Sequence, residues 1–428
     1  MAKPSLLYIS PVLPAESGGG TPMRAEIMLE ALAERNRVYL LVVPSDLKAR
    51  LEDVSPELSR WCVDIAVLAA AGDVGPPFLE PGSVPPRRGL SEPREFGIQN
   101  LRRRLTPLGG LADITRVFPR VAFDVIHVFR LYMAPFADPY LHAVPGERPY
   151  CVLDLDDVEP DLRRQVADLC EAQGDVGQAS ALRSEASCYH WLENEYLPRF
   201  DRLVVCCERD RQAILHRARH KDVLEVPNAV RLPKTPGPEP AGSPFTLLFV
   251  GTMNYYPNED ALRFFCTEVL PRIRAGASGP FRVLVVGGPV TPGVSVLSAN
   301  PEVVLTGKVD EVAPYYGQTH IVIAPLRVSG GTSIKILEAF SYRRPVVSTR
   351  MAAGGYEVSH GREILLAESA PQFAEHCLSL MAEPDKGRQM ADRAFEWVRK
   401  RHSPEAVKAR LRGNLPRTVR RDSSQAIP

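Results

Sequence analysis

The sequence lacks two features that mark nucleic-acid-binding and membrane-spanning proteins: it has no excess of positive charge and no long apolar run. Its 52 basic and 51 acidic residues leave a net charge of +1, so no overall field attracts nucleic acid. No apolar run approaches the ~20 residues of a membrane-spanning helix. The first residues, MAKPSLLYISPVLP, differ from a signal peptide. These features predict a cytoplasmic protein that does not bind nucleic acid.

The eight cysteines and nine histidines also lack the spacing of metal-binding motifs. No two cysteines are separated by two residues, which argues against a zinc ribbon or a thioredoxin motif. Several cysteines, such as Cys151 and Cys206, lie in apolar stretches where a reduced thiol simply packs. We therefore predict neither a bound metal nor a cofactor.

What the chain does have is a regular alternation of apolar runs with helical patterns. Runs this rich in Val, Ile and Leu fit strands that are buried on both faces of a parallel sheet. They lie at 6–10, 37–43, 62–68, 123–129, 150–155 and 202–207, and again at 245–251, 281–288, 303–307, 320–326, 344–349 and 363–367. The alternation predicts an α/β protein with two doubly wound, Rossmann-like domains that face each other across a cleft.

Composition also suggests the domain boundaries. We predict a first domain over 1–232, a Pro- and Gly-rich linker over 233–244 and a second domain over 245–400. Residues 401–428 are predicted to form a helix that packs back on the first domain, followed by a disordered tail. An insertion at 71–120 is rich in Pro and Arg. The insertion and the basic tail are either solvated segments or contacts to an anionic lipid surface.

The stretch SGGTSIKILEAF, between two predicted strands, has the composition of an anion site. Gly330 and Gly331 let backbone N–H groups approach a ligand, and a helix predicted to begin at Thr332 adds unpaired N–H groups. Lys335 supplies a full positive charge, and Glu338 lies on the same helical face. A carboxylate repels phosphate but accepts hydrogen bonds from ribose. The pattern favours a sugar nucleotide, and the alternative is a surface ion pair between Lys335 and Glu338.

The N-terminal stretch SGGGTPMR has the same physical logic. Gly19 and Gly20 precede a helix predicted to begin near Thr21, and Pro22 fits its first turn. Arg24 also lies in that first turn, where a cation is unfavourable unless an anion is bound. We expect this loop to face a diphosphate or the acceptor, and the alternative is a flexible turn.

Polar residues also gather where the first-domain strands end. Asp154, Asp156 and Asp157 follow the strand at 150–155, and acidic groups of this kind can hold a divalent metal that binds a diphosphate. In a chain with cationic loops, we favour hydrogen bonding of these carboxylates to an acceptor hydroxyl. His127 and Arg130 are further candidates for the acceptor side of the cleft, although a single histidine at a strand end is often structural.

Several motifs in both halves of the chain belong together. In the second half they are LLFVGTMNYYPNEDALRFF, VVGG, VVLTGKVDEVAPYY and HIVIAPLRVSGGTSIKILEAFSYRRPVVST. In the first half they are SPVLPAESGGGTPMRAEIMLEAL, DVIHVF, DRLVVCCERDRQAIL and VPNAV. Together they resemble the glycosyltransferase family 4 enzymes, which have the two-domain GT-B fold. The resemblance covers roughly residues 5–415 and is stronger in the second half.

The resemblance implies a nucleotide-diphosphate sugar as donor and retention of anomeric configuration. It places Glu338 on the ribose hydroxyls, and the amides of Gly331 and Thr332, with Lys335, near the diphosphate. Family members usually have two glutamates with seven residues between them, and here the first position is Gly330. This departure leaves the identity of the donor sugar open.

The loop after Gly251 departs from the family as well. It often carries a basic residue for the diphosphate, but here it reads TMNYYPNED. Lys335, Arg327 and Arg24 are therefore the candidates for the positive charge.

Together these observations predict a metal-independent glycosyltransferase of polysaccharide or glycoconjugate biosynthesis. Its donor is a UDP or GDP sugar, its acceptor is a carbohydrate, a lipid-linked or a small-molecule hydroxyl, and it resides in the cytoplasm or at the inner face of the membrane. The residues assigned to catalysis are Lys335, Glu338, Asp156 and His127. The alternatives are a non-catalytic nucleotide-sugar-binding protein and a sugar-nucleotide epimerase.

Overall fold

The computed structural model describes residues 3–43, 51–68, 114–144, 146–218, 222–234, 240, 242 and 244–414. Most of the predicted insertion at 71–120 and the predicted tail beyond 414 lie outside the described residues. Within them, no helix has the combination of length and apolar content needed to cross a lipid bilayer.

The first domain is built on a parallel sheet of seven described strands in the order β3-β2-β1-β4-β5-β6-β7. Apolar runs form these strands, and β1, an inner strand between β2 and β4, is buried along almost its whole length. The strands are β1 Ser5–Ser10, β2 Arg37–Val42, β3 Cys62–Val67, β4 Val125–Phe129, β5 Tyr150–Asp156, β6 Arg202–Val205 and β7 Val223–Glu225.

The second domain is built on a parallel sheet of six described strands in the order β10-β9-β8-β11-β12-β13. In both sheets the strand order reverses beside the first strand, which creates the crevice where doubly wound folds bind ligands. The strands are β8 Phe245–Val250, β9 Phe281–Val286, β10 Val303–Gly307, β11 Ile321–Ala324, β12 Val346–Thr349 and β13 Leu365–Ala367. The predicted fold class, two Rossmann-like α/β domains, is confirmed.

Helices connect the strands and cover both faces of each sheet. Short polar side chains begin several of them, as where Ser369 accepts a hydrogen bond from the Gln372 amide. The helices are α1 Gly20–Ala33, α2 Pro56–Trp61, α3 Ile114–Val117, α4 Asp138–Leu141, α5 Glu159–Ala172, α6 Val176–Tyr196, α7 Glu208–Ala218, α8 Tyr256–Phe264, α9 Leu270–Gly276, α10 Pro292–Ser295, α11 Ala313–Gly317, α12 Ile334–Ser341, α13 Arg350–Ala353, α14 Ala370–Ala382, α15 Pro384–Arg401 and α16 Pro404–Asn414.

The last described helix, α16, packs on the first domain although it follows the second in sequence. Val407 and Leu411 are buried in the apolar cluster between α1 and the first sheet. Lys408 forms an ion pair with Glu30 of α1. The chain thus crosses between the domains twice, and the two crossings meet where the Val230 amide donates to the carbonyl of His402.

The two domains also pack directly against each other through the helical hairpin of α5 and α6. Leu162, Val166 and Cys170 form a small apolar cluster with Tyr256 and Val328 of the second domain. This packing holds the carboxyl ends of β5 and β11 close together, which brings the polar residues of both domains to one place.

Candidate functional site

The loop after β11 carries the glycine pair and faces the first domain. Helix α12 begins at Ile334, two residues later than predicted, with Ser333 as its N-cap. Gly331 has a φ of +49°, a conformation that favours glycine. A Cβ on Gly331 would overlap Oδ1 of Asp157, and a Cβ on Gly330 would lie 3.2 Å from the same atom. The two glycines therefore let the loop approach a carboxylate of the other domain.

Lys335 lies in the first turn of α12 and is buried, with 8% of its surface exposed. Its ammonium group donates a hydrogen bond of 2.7 Å to Oδ1 of Asn258 and lies 4.2 Å from the centre of the Phe249 ring. Burial lowers the pKa of Lys335 to about 7, although the charge of Glu338 opposes the shift. An amide and an aromatic ring thus hold the cation without cancelling its charge.

Glu338 lies one turn further along α12. Its Oε2 accepts a hydrogen bond of 3.2 Å from the Tyr316 hydroxyl. Burial raises the pKa of Glu338 to about 7, while Tyr316 and Lys335 oppose the shift. Because Lys335 is buried, this arrangement argues against the surface ion pair that was the alternative interpretation.

The loop after β8 is held close to its neighbours. A Cβ on Gly251 would lie 2.7 Å from Nδ2 of Asn258, and a Cβ on Gly287 would overlap the Gly251 carbonyl. Asn258 donates to the Thr252 carbonyl at 2.9 Å while it accepts from Lys335. Sequence reasoning missed Asn258, although its position in the first turn of the helix after a glycine loop is a usable signal.

Arg327, predicted to contribute charge for a diphosphate, is bound to another group. Its guanidinium donates two hydrogen bonds to Asp260, whose side chain is fully buried. It also lies 5.4 Å from the centre of the Phe264 ring. In this structure the charge of Arg327 is therefore largely neutralised by Asp260.

The N-terminal glycine loop lies against the start of α12. Helix α1 begins at Gly20, and a Cβ there would lie 3.0 Å from Cγ1 of Ile334. Gly19, with a φ of +120°, forms the turn before α1. Arg24 points inward, where it donates to Asp154 at 2.8 Å and to Oδ1 of Asn228 at 3.0 Å. The structure thus brings this loop to the start of α12 but pairs Arg24 with a buried carboxylate.

The acidic residues at the end of β5 form a cluster around Arg130. The guanidinium of Arg130 donates to Asp156 at 2.8 Å, to Asp157 at 3.1 Å and to Glu159 at 2.7 Å. Arg130 and Asp156 have φ values of +78° and +59°. Such conformations cost energy in residues other than glycine and are concentrated at functional sites.

Among these carboxylates only Asp157 is partly open, with 23% of its side chain exposed, against 8% for Asp156 and none for Asp154. Burial, together with the charge of Asp156, raises the pKa of Asp157 to about 7, while Arg130 opposes the shift. The structure thus separates the predicted acidic group into two buried members and one that faces the second domain.

Asn228 joins the two domains and was not singled out from the sequence. Its Nδ2 donates to the Thr332 hydroxyl at 2.9 Å, and its carbonyl accepts from the His402 ring at 2.7 Å. Through its Oδ1 it also holds Arg24. Its motif, VPNAV, was part of the family resemblance, but only the structure shows which groups this asparagine connects.

His127 lies inside the first domain. Its ring stacks on Tyr8 with a centroid distance of 5.1 Å, and 2% of its surface is exposed. Burial, with the charge of Arg24, lowers the pKa of His127 to about 3. The residue is therefore neutral near pH 7 and packs within the sheet, unlike the cleft residue that was predicted.

One group of side chains has the composition of a metal site. The sulfur atoms of Cys206 and Cys207 and a carboxylate oxygen of Asp210 lie within 4.8 Å of one another, and all three residues are buried. Asp210 is already paired with Arg209 at 3.1 Å. The neighbouring thiol of Cys207, and then burial, raise the pKa of Cys206, which disfavours the thiolate that a metal requires.

Residues 244–383 match the family described as Glycosyl transferases group 1. An uncharacterized 44.6 kDa protein in the cps region of Klebsiella pneumoniae is 24% identical over 170 residues. That match spans 38% of this chain and 43% of the relative. The family match thus covers the second domain, including the glycine loop and α12.

Solved structures resemble the whole molecule. The sucrose-phosphate synthase of Thermosynechococcus elongatus has a TM-score of 0.68 at 16% identity, over 96% of this chain and 98% of its own. Anabaena HepE in complex with UDP and glucose has a TM-score of 0.60 at 12% identity, with the same coverage. The lipopolysaccharide outer core galactosyltransferase WaaB has a TM-score of 0.55 at 12% identity, again with the same coverage. The architecture is that of the GT-B glycosyltransferases.

Proposed function

We propose that the protein is a family 4 glycosyltransferase that moves a sugar from a nucleoside-diphosphate donor to an acceptor hydroxyl in glycoconjugate biosynthesis. The observation that carries this proposal is the placement of a buried Lys335 and a partly buried Glu338 on one helix at the carboxyl end of the second sheet, directly after two glycines. The group 1 glycosyltransferase match covers these residues, which supports the proposal.

In this proposal the diphosphate lies at the start of α12. The first N–H groups of a helix are unpaired and favour an anion, and the amides of Gly331 and Thr332 lie beside them. Lys335 adds a charge that a diphosphate would stabilise, because an anion raises the pKa of a buried ammonium group. These donors would stabilise the negative charge that develops on the leaving group during transfer.

Glu338 is proposed to hold the ribose. Its Oε2 accepts from the Tyr316 hydroxyl, and a carboxylate has further lone pairs for the two hydroxyls of a ribose. Ribose hydrogen bonds to the charged form would lower its raised pKa. Donor binding would therefore lower the pKa of Glu338 and raise the pKa of Lys335. Near pH 7 it would favour the charged form of both groups.

Retention is proposed to follow front-face attack, in which the leaving phosphate accepts the proton of the acceptor hydroxyl. This route needs no protein base, which agrees with the engagement of Asp156 by Arg130 and with the burial of His127. We place His127 in a structural role and Asp156 in positioning Arg130. Lys335 and the helix amides would provide the positive charge, so that no metal is required.

A UDP donor is favoured over GDP by the likeness to HepE, whose structure contains UDP and glucose. We propose that the acceptor is linked to a lipid. The Arg-rich segments at 71–120 and beyond 414 would then bind the protein to the membrane surface. Vesicle co-sedimentation at low and high salt would test it, because binding to anionic lipid is screened by salt.

The direct test is to mix the purified protein with UDP and GDP sugars and measure thermal shift and release of the nucleoside diphosphate. We expect one donor to raise the melting temperature and to be turned over. Glu338→Ala and Lys335→Ala should abolish both effects, whereas Glu375→Ala, at an exposed position on α14, should keep them. Absence of binding to every donor would refute the proposal.

A non-catalytic nucleotide-sugar-binding protein is the second candidate. The pairing of Arg24 with Asp154 and of Arg327 with Asp260 favours it, because fewer free cations remain to stabilise a leaving group. It predicts binding of the donor without turnover in the same assay. A sugar-nucleotide epimerase would instead convert the donor without releasing a nucleoside diphosphate.

A further inference from the structure

Asp157 is a first-domain side chain that lies against the glycine loop of the second domain. Its Oδ2 accepts from Arg130 at 3.1 Å, while its Oδ1 lies 2.3 Å from the position that a Cβ on Gly331 would take. Among the described residues no donor forms a hydrogen bond to Oδ1. A partly exposed carboxylate oxygen thus faces the loop with its hydrogen-bonding capacity unused.

The surroundings of Asp157 place it between two loops of the second domain. Burial, and to a smaller extent the charge of Asp157, raises the pKa of Tyr255 in the loop after β8. On the other side stand Gly330 and Gly331 in the loop after β11. If the diphosphate lies at the start of α12, the sugar attached to it extends from this loop, and Asp157 is the carboxylate that it meets.

We propose that Asp157 binds a hydroxyl of the transferred sugar, projecting into the space that a side chain at position 330 would fill. This proposal rests on the proposed function. It moves Asp157 from the acceptor side, where the sequence placed it, to the donor sugar. Gly330 does not have a positive φ, so a side chain there is disfavoured by the approach of Asp157 and Leu162 and not by the backbone.

The same geometry selects a class of donor. Asp157 is paired with Arg130, whose guanidinium also binds Asp156 and Glu159, so the positive charge beside Asp157 is already shared among carboxylates. A second carboxylate, carried by the sugar, would be repelled at this position. The donor is therefore a neutral sugar nucleotide and not a nucleotide uronic acid.

The test compares three ligands that differ only in the sugar: UDP, UDP-glucose and UDP-glucuronic acid, with GDP, GDP-mannose and GDP-mannuronic acid run in parallel. Affinities are measured by calorimetry for the wild type, Asp157→Asn and Asp168→Asn. Asp168 lies on α5 with 72% of its side chain exposed and controls for the loss of one charge.

For the wild type we expect the neutral sugar nucleotide to bind at least about tenfold more tightly than the uronate. A ratio of this order corresponds to the free energy of one hydrogen bond to a charged group. Asp157→Asn should reduce that preference to about twofold or less while it leaves the affinity for the nucleoside diphosphate within about twofold. Asp168→Asn should match the wild type. We expect Asp157→Asn to fold, because Arg130 keeps its hydrogen bonds to Asp156 and Glu159. Thermal melting of the variant checks this expectation.

A second experiment tests the shared space. Asp157→Ala and Gly330→Glu should each lose turnover, and the double variant should recover at least about tenfold over Asp157→Ala, because the new carboxylate occupies the vacated position. Failure to recover would overturn the idea that the two positions share one space.

The outcomes also separate the two proposals. An unchanged preference in Asp157→Asn, with wild-type donor binding intact, overturns the role of Asp157 alone. Failure of the wild type to bind any of the six ligands overturns that role together with the proposed function.

Discussion

Lys335, which is buried, and Glu338, which is partly buried, lie one turn apart on α12. Desolvation has moved the pKa values of both toward neutrality. Each is bonded to a neutral partner, Asn258 and Tyr316. Groups of opposite charge whose pKa values converge near 7 are a frequent feature of functional sites. At the scale of single residues, the second domain therefore retains charge that a ligand would stabilise.

Glu338 should make stability depend on pH in a defined window. Its pKa is about 7 in the folded protein and 4.5 when unfolded, so between these values the folded state keeps a proton that the unfolded state releases. Stability then falls as pH rises from 4.5 to 7. Relative to Glu338→Gln, the wild type should lose up to about 3 kcal/mol in free energy of unfolding over this window.

Urea denaturation of both proteins at pH 5 and pH 7.5 measures this difference. Glu375→Gln, at an exposed position on α14, provides the control and should follow the wild type. If the difference between the wild type and Glu338→Gln is the same at both pH values, the raised pKa is wrong.

At the scale of elements, α16 belongs to the first domain by its packing. Leu411 is 2% exposed and lies in the apolar cluster beneath α1. Arg412 pairs with Glu34 at the end of α1. Exposed pairs of this kind contribute little, so the apolar contacts carry most of the attachment.

Leu411→Ala should therefore destabilise the first domain by about 2–4 kcal/mol, because it removes buried contacts and leaves a cavity. Hydrogen exchange should become faster in α1, with little change in the second sheet. Glu405→Ala, exposed on the same helix, is the matched control. Equal acceleration in both domains would show that α16 is not specific to the first.

At the scale of the whole molecule, polar contacts link the residues that follow β6 and β7 in the first domain to the loop after β11 in the second. Arg209 donates to the Gly331 carbonyl at 2.9 Å, and Asn228 donates to Thr332. These contacts end on the loop that is proposed to bind the diphosphate. Under the proposed function, donor binding and closure of the domains would therefore act on the same backbone.

Arg209→Ala combined with Thr332→Val should open the cleft, because two of the polar links to this loop are lost. We expect a larger radius of gyration in solution scattering and weaker donor affinity, since part of the binding energy must then close the domains. Arg211→Ala, whose guanidinium binds Val223 and Glu208 within the first domain, should change neither. An unchanged radius of gyration in the double variant would contradict this role.

The strands and the overall class could be read from the chain because each is a local property. Continuous Val, Ile and Leu runs such as the one at 320–326 are typical of strands that are buried on both faces. Their alternation with helical patterns leaves few arrangements other than parallel sheets. The placement of Lys335 and Glu338 on one helical face follows from the helical period in the same way.

Contacts between distant segments were decided only by the tertiary structure. Arg24, Arg327 and His127 were chosen as candidates by residue type and position, but their partners, Asp154, Asp260 and Tyr8, lie elsewhere in the chain. Burial and pairing determine whether a charge is available, and both depend on which strands and helices become neighbours.

The contact between Asp157 and the Gly330–Gly331 loop also depends on the tertiary structure, since more than 170 residues separate them in the sequence. The sequence by itself determined two α/β domains and a glycine loop before a helix with a lysine and a glutamate. The tertiary structure decided which carboxylate faces that loop, because only packing of one domain on the other brings the ends of β5 and β11 together.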